Sequence, residues 1–247
     1  MRLRNIPGAE EILNASEYVV KDPASLRGAW RSLFEAQDDI APVSRQDGDG
    51  EEVPDVSRAD PEGDAAARPQ LHIEIGMGKG GFLHRMSALH PDVMYVGLEQ
   101  YSSVLVKAVS KLTADPRDNV KLICGDAKAL AEYFEPGEVD RIYLNFSDPW
   151  PKARHAKRRL PGLAFLALYN RVLGPDGRLE FKTDNRELFD FALEEAAAAG
   201  WQIEALTYDL HRDEVLCQGN VMTEYEEKFS QKGNPICKYI IYRKVEP

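Results

Sequence analysis

The junction at which an apolar run, 71–75, passes into Glu74-Ile75-Gly76-Met77-Gly78-Lys79-Gly80-Gly81 constrains this fold more than any other segment. Glycines at that density let a backbone turn sharply and approach a ligand just before a helix N-terminus. The pattern downstream keeps one rhythm: a helix over 81–90, a strand 94–98, a helix over 102–112 and a strand 120–124. A short helix over 128–134 leads to a strand 141–146, a helix 163–173 ends before Gly174-Pro175, and a strand 178–182 precedes a helix 186–199. Such alternation predicts an α/β fold, a mostly parallel sheet with helices on both faces. Two late strands, 202–206 and 238–242, are separated only by a short helical segment near 222–229 and can pair as an antiparallel edge. No internal repeat is visible.

The glycine motif leaves two cofactor classes open. Gly76, Gly78 and Gly81 satisfy the dinucleotide fingerprint, while Gly76, Gly78 and Gly80 satisfy the G-x-G-x-G of S-adenosylmethionine enzymes. A P-loop is excluded, because Gly80 follows Lys79 where a metal-binding hydroxyl is needed. Glu99 closes the second strand, where a carboxylate accepts ribose hydroxyls in either class or is simply a solvated acid. Asp126 ends the third strand, where it accepts from an adenine amino group or caps a helix. Together with Glu74 and Asp148 these acids would converge beyond the carboxyl ends of the strands. A carboxylate rim suits a cationic sulfonium compound better than a pyrophosphate.

The most chemically loaded stretch is Asn145-Phe146-Ser147-Asp148-Pro149-Trp150-Pro151-Lys152, followed by Ala153-Arg154-His155-Ala156-Lys157-Arg158-Arg159. A carboxylate held between prolines can orient a polar ring, an indole can stack on it, and cations can hold a phosphate backbone. Trp150 read alone is equally an ordinary packed indole, and the cations a solvated helix face. The overall charge of −10 does not exclude a nucleic-acid partner: ten acids and two arginines lie within 38–64, a net of −8, leaving about −2 elsewhere. Within 37–70 large apolar residues are scarce, which predicts a disordered acidic insertion. It separates an N-terminal arm, 1–36, from a domain over 71–247. In the arm Leu26, Trp30, Leu33 and Phe34 follow Asp22-Pro23 at amphipathic spacing, which predicts one docking helix. Three widely spaced cysteines, five histidines without metal spacing and no apolar run near about 18 residues predict no disulfide framework, no metal and a soluble cytoplasmic protein.

Across nearly all of 1–36 and 71–247 the chain closely resembles bacterial tRNA (guanine-N7-)-methyltransferases. The resemblance is carried by the glycine segment, the Asn145–Lys152 loop, Arg154-His155, Lys157-Arg158-Arg159, Phe181-Lys182-Thr183-Asp184-Asn185 and Thr223-Glu224-Tyr225-Glu226-Glu227-Lys228-Phe229. It implies a Rossmann-like class I methyltransferase fold with a seven-stranded sheet, and methyl transfer from S-adenosylmethionine to N7 of a guanine at position 46, in the tRNA variable loop. It further implies that Glu74, Gly76, Gly78, Glu99, Asp126 and Asp148 bind the cofactor, with Asp148 also catalytic. Lys152, Asp184, Thr223, Glu224, Tyr225 and Glu226 would contact the substrate, and Arg154, His155, Lys157, Arg158 and Arg159 the RNA. The enzyme would act as a monomer or homodimer, with no protein partner and no membrane. The acidic insertion is longer than the connection usual in that family.

The chemistry of guanine fits. N7 offers a lone pair and no proton, so Asp148 should orient rather than deprotonate. Asp184 and Glu226 are candidates to accept from the N1–H and amino groups of a flipped base. The Thr223 segment also reads as a capping box at a helix start. Three other functions stay open on residues alone: amino-group methylation, since Asp148-Pro149-Trp150-Pro151 resembles the [DN]-P-P-[FY] loop; an NAD-linked oxidoreductase; and a non-catalytic RNA-binding module.

Overall fold

A computed structural model describes residues 6–35 and 68–243. In chain order the elements are α1 (Ala9–Ala15), α2 (Ser32–Glu35), β1 (Gln70–Ile75), α3 (Gly81–Leu89), β2 (Val93–Glu99), α4 (Ser102–Ala114), β3 (Val120–Cys124) and α5 (Leu130–Tyr133). Then come β4 (Val139–Asn145), α6 (Leu163–Val172), β5 (Leu173–Thr183), α7 (Arg186–Ala198), β6 (Trp201–Thr207), α8 (Glu224–Ser230) and β7 (Cys237–Arg243). The seven strands form one sheet in the order β3-β2-β1-β4-β5-β7-β6, parallel except for β7, which runs antiparallel to both β5 and β6.

β1 and β2 are buried on both faces, which is why they read as nearly continuous apolar runs. Alternation within β2 splits the core in two: Met94, Val96 and Leu98 join α5, α6 and α7 on one face, whereas Val93 and Tyr95 join α1, α3 and α4 on the other. The chain reverses its direction of travel across the sheet between β3 and β4, so β1 and β4 flank the switch point at which open α/β sheets bind ligands.

Two expectations are corrected. The N-terminal arm does not dock as one helix. A 3₁₀ turn over Pro23–Leu26 is separated from the short α2 by Gly28, whose φ of 82° breaks helical continuity. Trp30 still docks, fully buried, stacked on Phe134 at 5.2 Å with its indole N–H donating to the Tyr133 carbonyl at 2.8 Å. The Glu138 carboxylate accepts from the backbone N–H groups of Gly28 and Trp30, satisfying donors that a helix would have paired. The pattern of the arm does not announce α1, although Ala9 and Leu13 bury at helical spacing behind Glu10 and Glu11 in its first turn. After α1, Tyr18 and Val20 exchange backbone bonds with Leu122 and cover the β3 edge. Secondly, β5 begins at Leu173 rather than at residue 178, because Val139 pairs with Leu173 ahead of an irregularity in the β4–β5 ladder. The expected acidic insertion lies outside the described residues apart from its end at 68–70, where Arg68 pairs with Asp140 at 2.9 Å and Gln70 opens β1.

Candidate active site

At the carboxyl end of β1, Glu74 is 2% exposed. The Asn145 amide donates to its Oε1 at 2.9 Å, while no well-aligned protein donor reaches its Oε2 and the nearby Leu83 backbone N–H favours the ionised form. Burial pushes its carboxyl up to about 8, against the lowering effects of the Asn145 bond and of Lys182. The chain then turns through Gly76 and Gly78, both left-handed at φ 72° and 59°, a backbone region costly for residues with a Cβ. The Gly78 N–H donates to Glu99 Oε2 at 3.1 Å and the Tyr101 N–H to Oε1 at 3.0 Å, so the acid at the end of β2 braces the turn after β1. Burial raises the Glu99 carboxyl too, and Asp148 adds to that rise across the crevice. Glu74, Glu99 and Asp148 thus share one field. Asp126, exposed at the end of β3, accepts from the Lys128 N–H at 3.0 Å, which is the capping role. A buried carboxylate oxygen without a well-aligned donor, beside a glycine turn and two further acids, fits a cationic ligand such as S-adenosylmethionine.

β4 delivers the second half of the site. Its loop carries the two non-glycine residues with positive φ among the described residues, Phe146 at 54° and Trp150 at 41°. Each left-handed placement costs about 1–2 kcal/mol, and Asp148 lies between them. Phe146 is held by its N–H donating to the Lys182 carbonyl at 2.8 Å. Trp150 is held from the other side: Arg159 donates through Nε to the Pro149 carbonyl and through Nη2 to the Trp150 carbonyl, both at 3.1 Å. Bonds from a charged donor contribute about 1.5–3 kcal/mol each, enough to offset the strain.

This loop and the end of β5 enclose a cleft of about 270 Å³, lined by Phe146, Ser147, Asp148, Pro149, Thr183, Asp184, Asn185 and Tyr225. Tyr225 lies between Phe146, at 4.9 Å between ring centroids, and Phe229, at 4.1 Å, and is still 40% exposed. Its hydroxyl donates to Asp184 Oδ2 at 3.0 Å; burial and that bond raise its phenol to about 12. Asp148, Asp184 and Tyr225, expected at the site, are brought together here.

Glu226 is not. Its carboxylate is fully buried, accepting from Lys182 Nζ at 2.8 Å and from the Asn220 amide at 2.8 Å. It also closes the capping box with Thr223, and His211 Nε2 lies 3.2 Å away without hydrogen-bond alignment. The expectation that Glu226 reads a base edge is corrected: every approach to it is occupied by protein. Glu224 and Glu227 pair with Lys111 and Arg85, so α8 is braced on the helices that follow the glycine turn and β2. Sequence reasoning assigns Lys182 no role of its own. A signal is nonetheless present, an ammonium on a strand whose neighbours Leu179 and Phe181 are core residues.

The basic run forms a 3₁₀ segment, Ala153–Arg158, in which Arg154, Lys157 and Arg158 are exposed, as is Lys152 just before it. Trp150 is half-buried, with the Arg158 guanidinium 4.8 Å over its ring and His155 edge-on at 5.7 Å. Arg154 Nε lies 3.3 Å from His155 Nε2. Arg159 departs from expectation: besides its two carbonyl bonds, its guanidinium lies 4.5 Å over the Phe191 ring of α7, so it faces the protein rather than an RNA.

Comparison with known proteins gives the family and the fold. The model of a family described as "Putative methyltransferase" matches residues 68–239. A tRNA (guanine-N(7)-)-methyltransferase of Lachnoclostridium phytofermentans is 45% identical over 246 residues, covering 100% of both chains. One from Geobacillus thermodenitrificans is 46% identical, covering 96% of this chain and 94% of its own. Among solved structures, an antibiotic-related methyltransferase superposes with a TM-score of 0.53 at 15% identity, covering 70% of this chain and 86% of its own. The 16S rRNA methyltransferase KamB superposes with 0.52 at 15% identity, covering 69% and 86%. At such identities these structures speak for the fold alone.

Proposed function

The chain belongs to the tRNA (guanine-N(7)-)-methyltransferase family, and from that premise we propose that it methylates N7 of a guanine in tRNA, at position 46 of the variable loop, giving N7-methylguanosine. S-adenosylmethionine supplies the methyl carbon on a sulfonium. The single observation that carries the reading is the cleft between the Asp148 loop and Asp184, walled by an exposed tyrosine ring, with the buried Glu74 carboxyl bonded to Asn145 where that loop begins.

N7 brings a lone pair and no proton, so the residues must align rather than abstract. Transfer of that methyl group to N7, with the C–S electron pair remaining on sulfur, would leave the imidazole ring positive. Asp148, at the mouth of the cleft, faces the ring as that charge develops and stabilises it. Tyr225, its ring held by Phe146 and Phe229, gives a flipped base an exposed aromatic wall at the cleft. With Glu226 buried, Asp184 accepts from the guanine N1–H and amino donors; an adenine N1 would meet it acceptor against acceptor. Glu74 and Glu99 hold the cationic and ribose parts of the cofactor, with Asp126 farther along the same rim. Lys152 and the exposed cations of 153–158 hold phosphate oxygens.

Among the described residues no helix is long and apolar enough to cross a membrane. A tRNA substrate supports a cytoplasmic location. Incubation with tritiated S-adenosylmethionine and unmodified bulk tRNA, followed by nucleoside analysis, tests the assignment. Label in N7-methylguanosine is expected; label in an exocyclic amino group, or none, overturns it.

A further inference from the structure

We propose that Arg159, the last cation of the basic run, is a positioning residue for the catalytic loop and does not bind RNA, an inference that rests on the methyl-transfer reading of Asp148. Two donors on one edge of its guanidinium reach two consecutive carbonyls, those of Pro149 and Trp150, each at 3.1 Å. Its planar face lies 4.5 Å over Phe191, a residue of the core-facing helix α7. The guanidinium therefore ties the loop to a rigid element.

That tie matters because of what it holds. Trp150 sits at φ 41°, and Pro151 after it disfavours such helical geometry further. At the opposite hinge, Phe146 at φ 54° is held by its bond to the Lys182 carbonyl at the end of β5. Asp148 hangs between these two hinges, exposed at the cleft, so its position follows theirs. Releasing the Trp150 hinge lets the strained residue relax toward extended backbone, and Asp148 moves with it. A lysine cannot substitute, since an ammonium is a point charge without the planar fork that spans two carbonyls and stacks on a ring. The neighbouring Arg154, Lys157 and Arg158 are exposed and keep the RNA-facing role.

The test separates geometry from charge. In Arg159→Lys, which keeps the cation, the single-turnover methylation rate at saturating cofactor and tRNA should fall on the order of 10²-fold, as displacement of a reacting group by about 1 Å does. Its tRNA affinity and the slope of log affinity against log salt should match wild type. Arg159→Ala should show the same rate loss, and added methylguanidinium, which can occupy the vacated fork, should restore part of the rate. Should the alanine variant lose melting temperature, the lysine variant carries the test. A wild-type rate in Arg159→Lys overturns the proposal. So does a salt slope reduced by about 0.7–0.9 in Arg159→Ala, the signature of one phosphate no longer neutralised by the protein. Absence of methyl transfer by the wild-type protein itself would instead overturn the functional reading.

Discussion

At the scale of single residues, two carboxyls in one crevice divide the work because their surroundings differ. Asp148 is exposed between two strained hinges, whereas Glu74 is buried and carries its proton up to about pH 8. Asp148→Ala should reduce the single-turnover rate on the order of 10²-fold or more with the melting temperature unchanged, since an exposed loop carboxylate contributes orientation and not packing. A near-normal rate at saturating cofactor would remove it from the catalytic role. For Glu74 the sign is fixed by its raised value: in the free protein its contribution to stability is full below the unfolded value of 4.5 and is lost as pH rises through about 8. A cationic ligand reverses this, because it favours the carboxylate and expels the proton on binding. The rise in melting temperature produced by S-adenosylmethionine should therefore grow between about pH 6 and about pH 9, and Glu74→Gln should flatten the growth. A pH-independent shift in the wild-type protein would show that Glu74 does not face the cation.

At the scale of elements, α8 illustrates how a segment proposed to meet the substrate is held. The Lys182–Glu226 pair, buried between β5 and the helix start, leaves Tyr225 as the side chain presented to the cleft. Burial lowers the Lys182 ammonium and Glu226 opposes that, so the two charges depend on each other. Glu226→Gln should destabilise the fold by about 3–5 kcal/mol, the cost of an uncompensated buried charge, while the double change Lys182→Met with Glu226→Leu should recover most of it. Chemical denaturation reads both; a stable Glu226→Gln that merely fails to methylate would restore Glu226 as a base-reading group. The alternation of strands and helices and the crevice beyond the strand ends are legible because periodicity and glycine spacing are local signals, whereas Asp184 and Tyr225 are singled out only by the family resemblance and meet in space through the packing of β5 and α8. The inward turn of Glu226 and Arg159 is not legible. A carboxylate in a Thr-x-x-Glu box and the last arginine of a cation run look solvent-facing along the chain, and only the packing of β5 and α7 against them decides otherwise. The N-terminal arm failed for a similar reason: Gly28 and the Glu138 carboxylate, far apart in sequence, cooperate to replace a helix with a turn.

At the scale of the whole molecule, a chain of net charge −10 has to bind a polyanion, so attraction must be focused locally rather than spread over the surface. Lys152, Arg154, Lys157 and Arg158 supply that focus beside the cleft, exposed and without carboxylate partners at salt-bridge distance among the described residues. The carboxylates proposed to hold the cofactor, Glu74 and Glu99, lie instead at the ends of β1 and β2. Charge reversal at Arg154 or Lys157 should consequently weaken tRNA binding while leaving cofactor affinity near wild type. The weakening should itself depend on salt. For each phosphate that the variant no longer neutralises, the slope of log affinity against log salt should shrink by about 0.7–0.9, because fewer counterions are released on binding. Binding titrations of tRNA across a range of salt, paired with calorimetric titration of the cofactor, measure both quantities on the same protein. An unchanged slope in both variants would place the basic run outside the interface, and the approach of the tRNA would then have to be sought on another face.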